Sequence, residues 1–263
     1  MNLLNPEIRL VFVTFQIQII KKNSMENTAN ILFHAGKLLL DVKLNLDTVL
    51  EEQKLKIVSL TDLQKELISD DAKKTFWINI YNAYFQILSK QKGNSKKIFT
   101  EKDIIIANTQ FSLDDIEHGI LRKHSWKWSF GYLPNPFSPQ LIRHLAVKKI
   151  DYRIHFALNC GAKSCPPIAF YTLEKIENQL EDAMFSFITS ETLIDMNNKT
   201  ISTSKLLHWY RGDFGGTTGI KKVLQQVLEL QLETYTLSFN DYNWETHIEN
   251  FIEEKNSIEH INN

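Results

Sequence analysis

Residues 71–90, DAKKTFWINIYNAYFQILSK, are the stretch of sequence that most clearly decides the fold. Large apolar residues recur in it at three- and four-residue spacing, which predicts an amphipathic helix packed on a core. These residues are Phe76, Trp77, Ile80, Tyr84, Phe85 and Leu88. Gly93-Asn94 follows, and glycine commonly ends a helix because it tolerates left-handed backbone. The sequence therefore predicts a long core helix from Asp71 to Lys90.

Two amides interrupt the aromatic face of this helix. Asn79 and Asn82 lie within one turn of each other, and a buried amide needs hydrogen-bond partners. We expect these two side chains either to hold a neighbouring loop in place or to contact a substrate.

A second helix is predicted from Ser112, because Asp115 lies at the position that completes a short capping box. Asp114, His118 and Arg122 follow one another at intervals of one helical turn, so they share a face. A histidine between an acid and a base most often belongs to a surface ion network. The functional alternative is a general base beside Glu117.

The remaining pattern alternates helices with a few short strands. Helical periodicity occurs before residue 71 and over 173–188, 205–210 and 220–230, and Asn197-Asn198 between two apolar runs predicts a hairpin. An aromatic loop is predicted at 126–139 and a strand at 234–239. These elements predict the α+β class: a predominantly helical single domain over residues 25–263 with a small mixed or antiparallel sheet. A papain- or transglutaminase-like arrangement is the structural hypothesis.

Reactive side chains concentrate between Arg153 and Pro167. Residues 152–158 predict a buried strand, in which Arg153, His155 and Asn159 would share the polar face. The following turn contains Cys160, and Pro166-Pro167 stiffens its exit. A strand and loop of this kind would hold polar groups rigidly.

The turn carries both cysteines of the chain, Cys160 and Cys165. A thiol beside Lys163 and near an imidazole would shift toward thiolate. The alternative is that each cysteine is a small buried hydrophobe and that His155 satisfies a core hydrogen bond. The spacing fits neither a Cys-x-x-Cys redox pair nor a zinc finger.

Composition restricts the classes of function. The chain has 263 residues, 43% hydrophobic, with a formal net charge of -1 from 30 basic and 31 acidic residues. This balance gives no electrostatic reason to expect nucleic acid or an anionic membrane as partner. Two cysteines cannot form a disulfide framework, so we do not expect the fold to be held together covalently. We expect no cofactor and no bound metal.

The first 24 residues need a separate interpretation. Residues 10–20 are an apolar run that is too short to span a bilayer. It is a poor anchor, an ordinary strand, or part of an extension that precedes a true start at Met25; we favour the last. With a start at Met25 we expect a cytoplasmic location. If residues 1–24 are present in the cell, a periplasmic or membrane-tethered location is the alternative.

Three motifs resemble the signatures of domain-of-unknown-function family 547 (DUF547). They are FWINIYNA at 76–83, SLDDIEHGILR at 112–122 and RIHFALNCGAKSCP at 153–166, and WY at 209–210 with DF at 213–214 is similar to a fourth. The resemblance covers roughly residues 29–244 and implies a bacterial or eukaryotic globular domain, while it brings little function with it. The family pattern Tyr-Asp-Trp is replaced here by Tyr242-Asn243-Trp244.

The leading functional hypothesis is a cysteine-dependent hydrolase or acyl-transferase acting on an amide or thioester. Cys160 would be the nucleophile and Cys165 the fallback, with His155 or His118 as the general base. Glu117 or Asn243 would orient the base, since an asparagine can do so in papain-like triads.

Two alternatives stay open. The first is a non-catalytic module that binds a small molecule, a peptide or a protein in a polar pocket, with Trp126, Trp128 and Trp209 available to line a groove. Under either reading, the residues predicted to contact the substrate are Asn79, Asn82, Arg153, Asn159 and Trp209. The second alternative is a metal site built from Glu117, His118, His155 and a cysteine.

Overall fold

The computed structural model describes residues 30–93 and 95–252. The interpretations of residues 1–24 therefore lie outside the described residues. Seventeen elements follow one another along the described chain: α1 (Ile31–Lys43), α2 (Val49–Ile57), α3 (Leu60–Glu66), α4 (Asp70–Lys92), a 3-10 helix (Lys96–Phe99), β1 (Ile104–Ile106), β2 (Thr109–Phe111), a π-helix (Asp115–Leu121), a 3-10 helix (Lys127–Ser129), α5 (Gln140–Leu145), a 3-10 helix (Tyr152–Phe156), α6 (Ile176–Glu191), β3 (Leu193–Asp195), β4 (Thr200–Thr203), α7 (Lys205–Trp209), α8 (Gly216–Leu228) and β5 (Thr236–Phe239).

The long helix α4 is the centre of the larger part of the core, as the sequence predicts. It starts where the Ser69 side chain accepts a hydrogen bond from the backbone N–H of Ala72, which satisfies one of the free amides of the first turn. It ends at Gly93, whose φ is 64°. Helix α1 packs along α4, and most side chains of α4 are buried. A helix that is buried almost all round is a core element rather than a surface helix.

The strands form two small sheets. β1 and β2 are an antiparallel pair, and β4 lies between antiparallel β3 and parallel β5. The predicted hairpin is confirmed, because β3 and β4 are joined through the segment that contains Asn197 and Asn198. The predominantly helical α+β class with a small mixed sheet is likewise confirmed.

The prediction of a strand over residues 152–158 is wrong. Asp151 starts a 3-10 helix, because its side chain accepts a hydrogen bond from the backbone N–H of Arg153, as Asp does at a helix N-cap. The alternation of faces expected for a strand is therefore lost. Ile154, His155 and Phe156 are all buried.

The helix predicted at 173–188 begins later than the sequence indicates, because Thr172, which as a threonine could cap a helix at 173, instead closes a turn. The Thr172 carbonyl accepts a hydrogen bond from the Lys175 N–H, and α6 starts only at Ile176.

The core contains two hydrophobic clusters that meet at the 3-10 helix Tyr152–Phe156. The larger cluster surrounds α4 and includes Ile154, while the smaller one lies against α6 and α8 and includes Phe156. His155 lies between these two residues. Among the described residues, no helix is both long and apolar enough to cross a lipid bilayer.

Candidate functional site

A buried ion pair connects two distant parts of the chain. Arg122, at the end of the π-helix, and Asp213, after α7, form two parallel hydrogen bonds: Nε to Oδ2 at 2.6 Å and Nη2 to Oδ1 at 3.1 Å. The side chains are 1% and 0% exposed. Bidentate pairing satisfies both charges at once, which a buried ion pair requires. Arg122 and His155 lower the pKa of Asp213 against the opposing effect of burial.

His155 belongs to the same network. Its Nε2 lies 2.8 Å from Asp213 Oδ2, and its ring stacks on that of Tyr210 with the centroids 3.8 Å apart. A carboxylate only accepts hydrogen bonds, so His155 Nε2 carries the proton. Burial lowers the pKa of His155, and the bond to Asp213 only partly offsets this effect. His155 is therefore a neutral donor to Asp213.

Glu117 is held by two tyrosines. Tyr210 Oη donates to Glu117 Oε1 at 2.6 Å, and Tyr81 Oη donates to Oε2 at 3.2 Å. Burial alone would raise the pKa of Glu117, but the Tyr210 hydroxyl and the charge of Arg122 lower it overall. Glu117 is therefore a buried carboxylate whose two oxygens are both committed to tyrosine hydroxyls.

His118 connects this network to the surface. Arg122 Nη1 lies 2.8 Å from His118 Nδ1, and a guanidinium has no acceptor. Nδ1 must therefore carry the lone pair, and the proton lies on Nε2. Burial lowers the pKa of His118, and the charges of Arg122 and Lys127 lower it further against those of Glu117 and Asp114. The ring is neutral at pH 7, with its N–H away from the network.

The exposed side of His118 lines a cleft of about 260 Å³. Asp114 and Lys127 contribute charged side chains, and Trp126 and Trp128 contribute indoles. The two indoles are 42% and 77% exposed. Because exposed aromatic rings lie there beside a few fixed polar groups, this cleft is the candidate small-molecule site of the described residues.

Two glycines allow the loop that borders the cleft to approach the ion pair. Gly131 has a φ of +89°, and a side chain on it would overlap Asp213 Oδ1. A Cβ on Gly212 would overlap the backbone of Gly131, and the Gly212 N–H donates to the Phe130 carbonyl at 2.8 Å. The loop that carries Trp126 and Trp128 is therefore fixed against the same segment that supplies Asp213.

The two cysteines form a disulfide, Cys160–Cys165. The expectation that no covalent bond holds the fold is therefore wrong, although the bond closes only a short local loop. Tyr242 Oη lies 3.4 Å from Cys160 Sγ and 3.1 Å from Cys165 Sγ. Among the described residues, the side-chain partners of the two sulfurs are each other and this hydroxyl, not an imidazole.

A C-terminal segment crosses the disulfide loop. The backbone amides of Lys163, Ser164 and Ile168 donate to carbonyls of residues 243–250, and His247 N–H donates to the Gly161 carbonyl. Asn243, which was expected to orient a catalytic histidine, accepts at its backbone carbonyl from Ser164 and donates its N–H to the Ser164 hydroxyl. The carboxylate that contacts His155 is that of Asp213.

The predicted asparagines hold backbone in place. Asn79 exchanges two hydrogen bonds with the backbone of Tyr171, and Asn82 bonds the Ala157 carbonyl and the Asn159 N–H. Asn159 in turn bonds the Pro166 carbonyl and the Gly161 N–H. Their exposures are all 0%. Of the two roles considered for Asn79 and Asn82, the structure supports the holding of loops.

The two other predicted contact residues lie apart from the cleft. Arg153 pairs with Asp151 and Glu177. Trp209 packs on Tyr242 and Trp244 near the disulfide. A role of either side chain in substrate binding stays a prediction.

The metal alternative has no geometric support in residues 30–93 and 95–252, where no group of three His, Cys, Asp or Glu side chains could hold an ion.

Residues 65–188 match the family model described as "Protein of unknown function, DUF547". This segment is similar to a DUF547 domain. The match confirms the resemblance stated from the motifs and contains Glu117, His118, Arg122, His155 and the disulfide. Neither a curated protein nor a solved structure shows a significant match to the chain.

Two members of the network lie beyond the DUF547 match and are not among the site residues that the sequence predicts. Tyr210 and Asp213 are part of the fourth motif, WY followed by DF. That motif was the available signal. Pairing Asp213 with Arg122, 91 positions away, requires the tertiary structure, because no local spacing relates them.

Proposed function

We propose that the protein binds a small polar molecule in the cleft at His118, as a ligand-binding module. The observation that carries this proposal is the state of His118. Its Nδ1 is occupied by Arg122, so the neutral ring of this cleft-lining residue has its proton on Nε2, beside the cleft residue Asp114. A donor whose orientation is set before the ligand arrives costs less to order on binding.

The buried network explains why the donor is fixed. Arg122 is held by Asp213 through two hydrogen bonds, and Asp213 is held in turn by His155. Each partner is buried, so rotation of any one of them would leave a charge or a donor unsatisfied. This series of hydrogen bonds holds the binding group in position. Designed sites use a second layer of contacts for the same purpose.

A ligand-detected NMR screen with small polar molecules tests this proposal. We expect hits with the wild-type protein that disappear with His118→Ala and persist with His144→Ala, which removes an exposed histidine of α5. Trp128→Ala is a second cleft variant that carries little folding risk, because the side chain is 77% exposed. Hits that survive both cleft substitutions, or the absence of hits with folded wild-type protein, would contradict the proposal.

The cysteine-dependent hydrolase or acyl-transferase is the second candidate. The observation in its favour is the Tyr242 hydroxyl within reach of both sulfurs, which could donate to a thiolate formed on reduction. Cys160 is the more exposed cysteine and stays the proposed nucleophile. This candidate requires both reduction of the disulfide and an imidazole, His155 or His118, that leaves its present partner.

Thiol labelling distinguishes the two candidates. After reduction, the hydrolase proposal expects rapid alkylation of one cysteine at neutral pH, lost in Cys160→Ser and retained in Cys165→Ser. Labelling at the slow rate of an ordinary thiol in both single variants would remove this candidate.

A further inference from the structure

The charged groups that line the cleft are already paired. Asp114 accepts a hydrogen bond from Lys127 Nζ at 2.6 Å. Asp115 accepts from the Ser112 N–H at 3.0 Å and lies 3.5 Å from Lys102 Nζ. Among the lining residues that the structure describes, no ionised group is left to neutralise a charged ligand. A ligand with a phosphate or carboxylate would lose its hydration without gaining a counter-charge.

The cleft offers neutral hydrogen-bonding groups instead. His118 Nε2 lies 3.7 Å from Asp114 Oδ1, beyond hydrogen-bond distance. His124 also lines the cleft, and its Nδ1 is buried without a hydrogen-bond partner. Ser125 and Asn135 complete the polar wall. A hydroxyl both donates and accepts, so a ligand hydroxyl suits a cleft-lining imidazole in either tautomer.

The indoles of the cleft indicate which ligand surface would face them. Trp126 and Trp128 are partly to largely exposed at the cleft, and an indole face packs against weakly polar C–H groups. Lys127 Nζ lies 5.3 Å from the centre of the Trp128 ring. The ammonium therefore already takes the position over this ring that a cationic ligand would need.

We infer that the cleft binds a saccharide: a neutral ring whose C–H face packs on an indole and whose hydroxyls bond to His118 and His124. The cleft volume of about 260 Å³ lies just below the roughly 300–1,000 Å³ of drug-sized sites, which suits one or two sugar rings. This inference rests on the proposed function of the cleft and names its class of ligand.

Titration calorimetry and tryptophan fluorescence with glucose, N-acetylglucosamine, maltose, cellobiose and chitobiose test the inference on the full chain. At least one saccharide should bind, and Trp128→Ala should weaken it roughly tenfold, as expected for loss of one aromatic stacking contact. Trp244→Ala is the matched control, because Trp244 is 66% exposed and lies at the disulfide rather than the cleft. Its affinity should equal that of the wild type.

The other outcomes separate the two proposals. If no saccharide binds while other polar fragments bind in a His118-dependent way, the saccharide inference fails and the proposed function stands. Saccharide binding that Trp128→Ala leaves unchanged would also overturn the inference. Preferential binding of inorganic phosphate or acetate would overturn the charge argument, and failure of every probe would remove both proposals.

Discussion

At the scale of single residues, the Arg122–Asp213 pair determines how His118 is presented. The two side chains are almost completely buried, so each charge depends on the other for the interactions that water no longer provides. Arg122 has a further N–H that reaches His118 Nδ1. A change at Asp213 therefore reaches the cleft through Arg122, although Asp213 does not line it.

Asp213→Asn should cost about 3–5 kcal/mol in the free energy of unfolding, because it leaves the Arg122 charge buried without its counter-ion. Urea unfolding followed by circular dichroism measures this loss. Glu245→Gln is the control, since it breaks the Lys163–Glu245 pair, whose side chains are 59% and 66% exposed, and should cost about 0–1 kcal/mol. Equal losses in the two variants would contradict the assignment of Arg122–Asp213 as a stabilising pair.

The depressed pKa values of His118 and His155 predict a pH dependence of stability. Burial lowers both pKa values in the folded state, so the unfolded chain binds more protons below about pH 6.5, the ordinary histidine value. Stability should be full above that pH and should fall as pH decreases through the folded pKa values. The slope is at most about 1.4 kcal/mol per pH unit for each histidine.

Urea unfolding between pH 5 and pH 8 measures this dependence. His118→Gln should make the slope below pH 6.5 shallower, whereas the exposed-residue variant His144→Gln should leave it unchanged. A wild-type stability that rises as pH falls over this range would contradict the lowered pKa values of the two histidines.

At the scale of elements, the disulfide loop and the segment that crosses it form one unit. The bond Cys160–Cys165 has a sequence separation of 5, and residues 243–250 bond to the loop through backbone amides and carbonyls. Tyr242 contacts both sulfurs. The covalent link therefore restrains the backbone on which the C-terminal segment lies.

Replacement of both cysteines by serine should cost about 2 kcal/mol, the chain-entropy value for a loop this short. Hydrogen exchange should accelerate at the amides of Lys163, Ser164 and His247, while the amides of α4 should stay protected. Reduction of the wild-type protein should produce the same change, and a reductant should have no effect on the double-serine variant. Unchanged hydrogen exchange in the double-serine variant would show that the disulfide does not restrain the crossing segment.

The sequence predicts the elements better than it predicts their contacts. The helix that became α4, the capping box at Ser112 and the hairpin through Asn198 rest on local chemistry, and all three occur in the structure. The short apolar run at 152–158 fits a strand and a buried helical turn equally well, so local pattern alone cannot separate them. The Asp151 cap decided between them.

The site was predicted only in part, for a similar reason. The helical spacing of Asp114, His118 and Arg122 correctly placed them together, because one turn of helix fixes their separation. The disulfide could not be predicted, because the spacing of the two cysteines matches no known redox or metal-binding motif. The Asp213 contact depends on how the segment after α7 lies against the π-helix, and that arrangement has no signature in local periodicity.

At the scale of the whole molecule, the polar network joins the two hydrophobic clusters. Arg122 follows helical residues of the larger cluster, whereas Asp213 precedes Phe214 of the smaller one. His155 lies on the 3-10 helix shared by both clusters. Because the smaller cluster extends to Leu232, the matched segment at 65–188 holds only part of this arrangement.

A fragment of residues 65–188 should therefore fail to form a packed native state, since Arg122 and His155 would lose Asp213 and the smaller cluster would be incomplete. We expect helical far-ultraviolet circular dichroism without the near-ultraviolet signal of fixed aromatic rings. Residues 30–252 are the matched control and should show both signals. A cooperative unfolding transition in the shorter fragment would contradict the bridging role of the network.

The most direct measurement for the whole account is the ¹⁵N imidazole NMR spectrum of His118, assigned with His118→Gln. The account predicts a neutral ring with its proton on Nε2 at pH 6.5, and a pKa below the ordinary histidine value of about 6.5. Asp213→Asn should change this state, because Arg122 would lose the partner that orients it toward Nδ1. A proton on Nδ1, or a ring that is mostly charged at pH 6.5, would contradict the account.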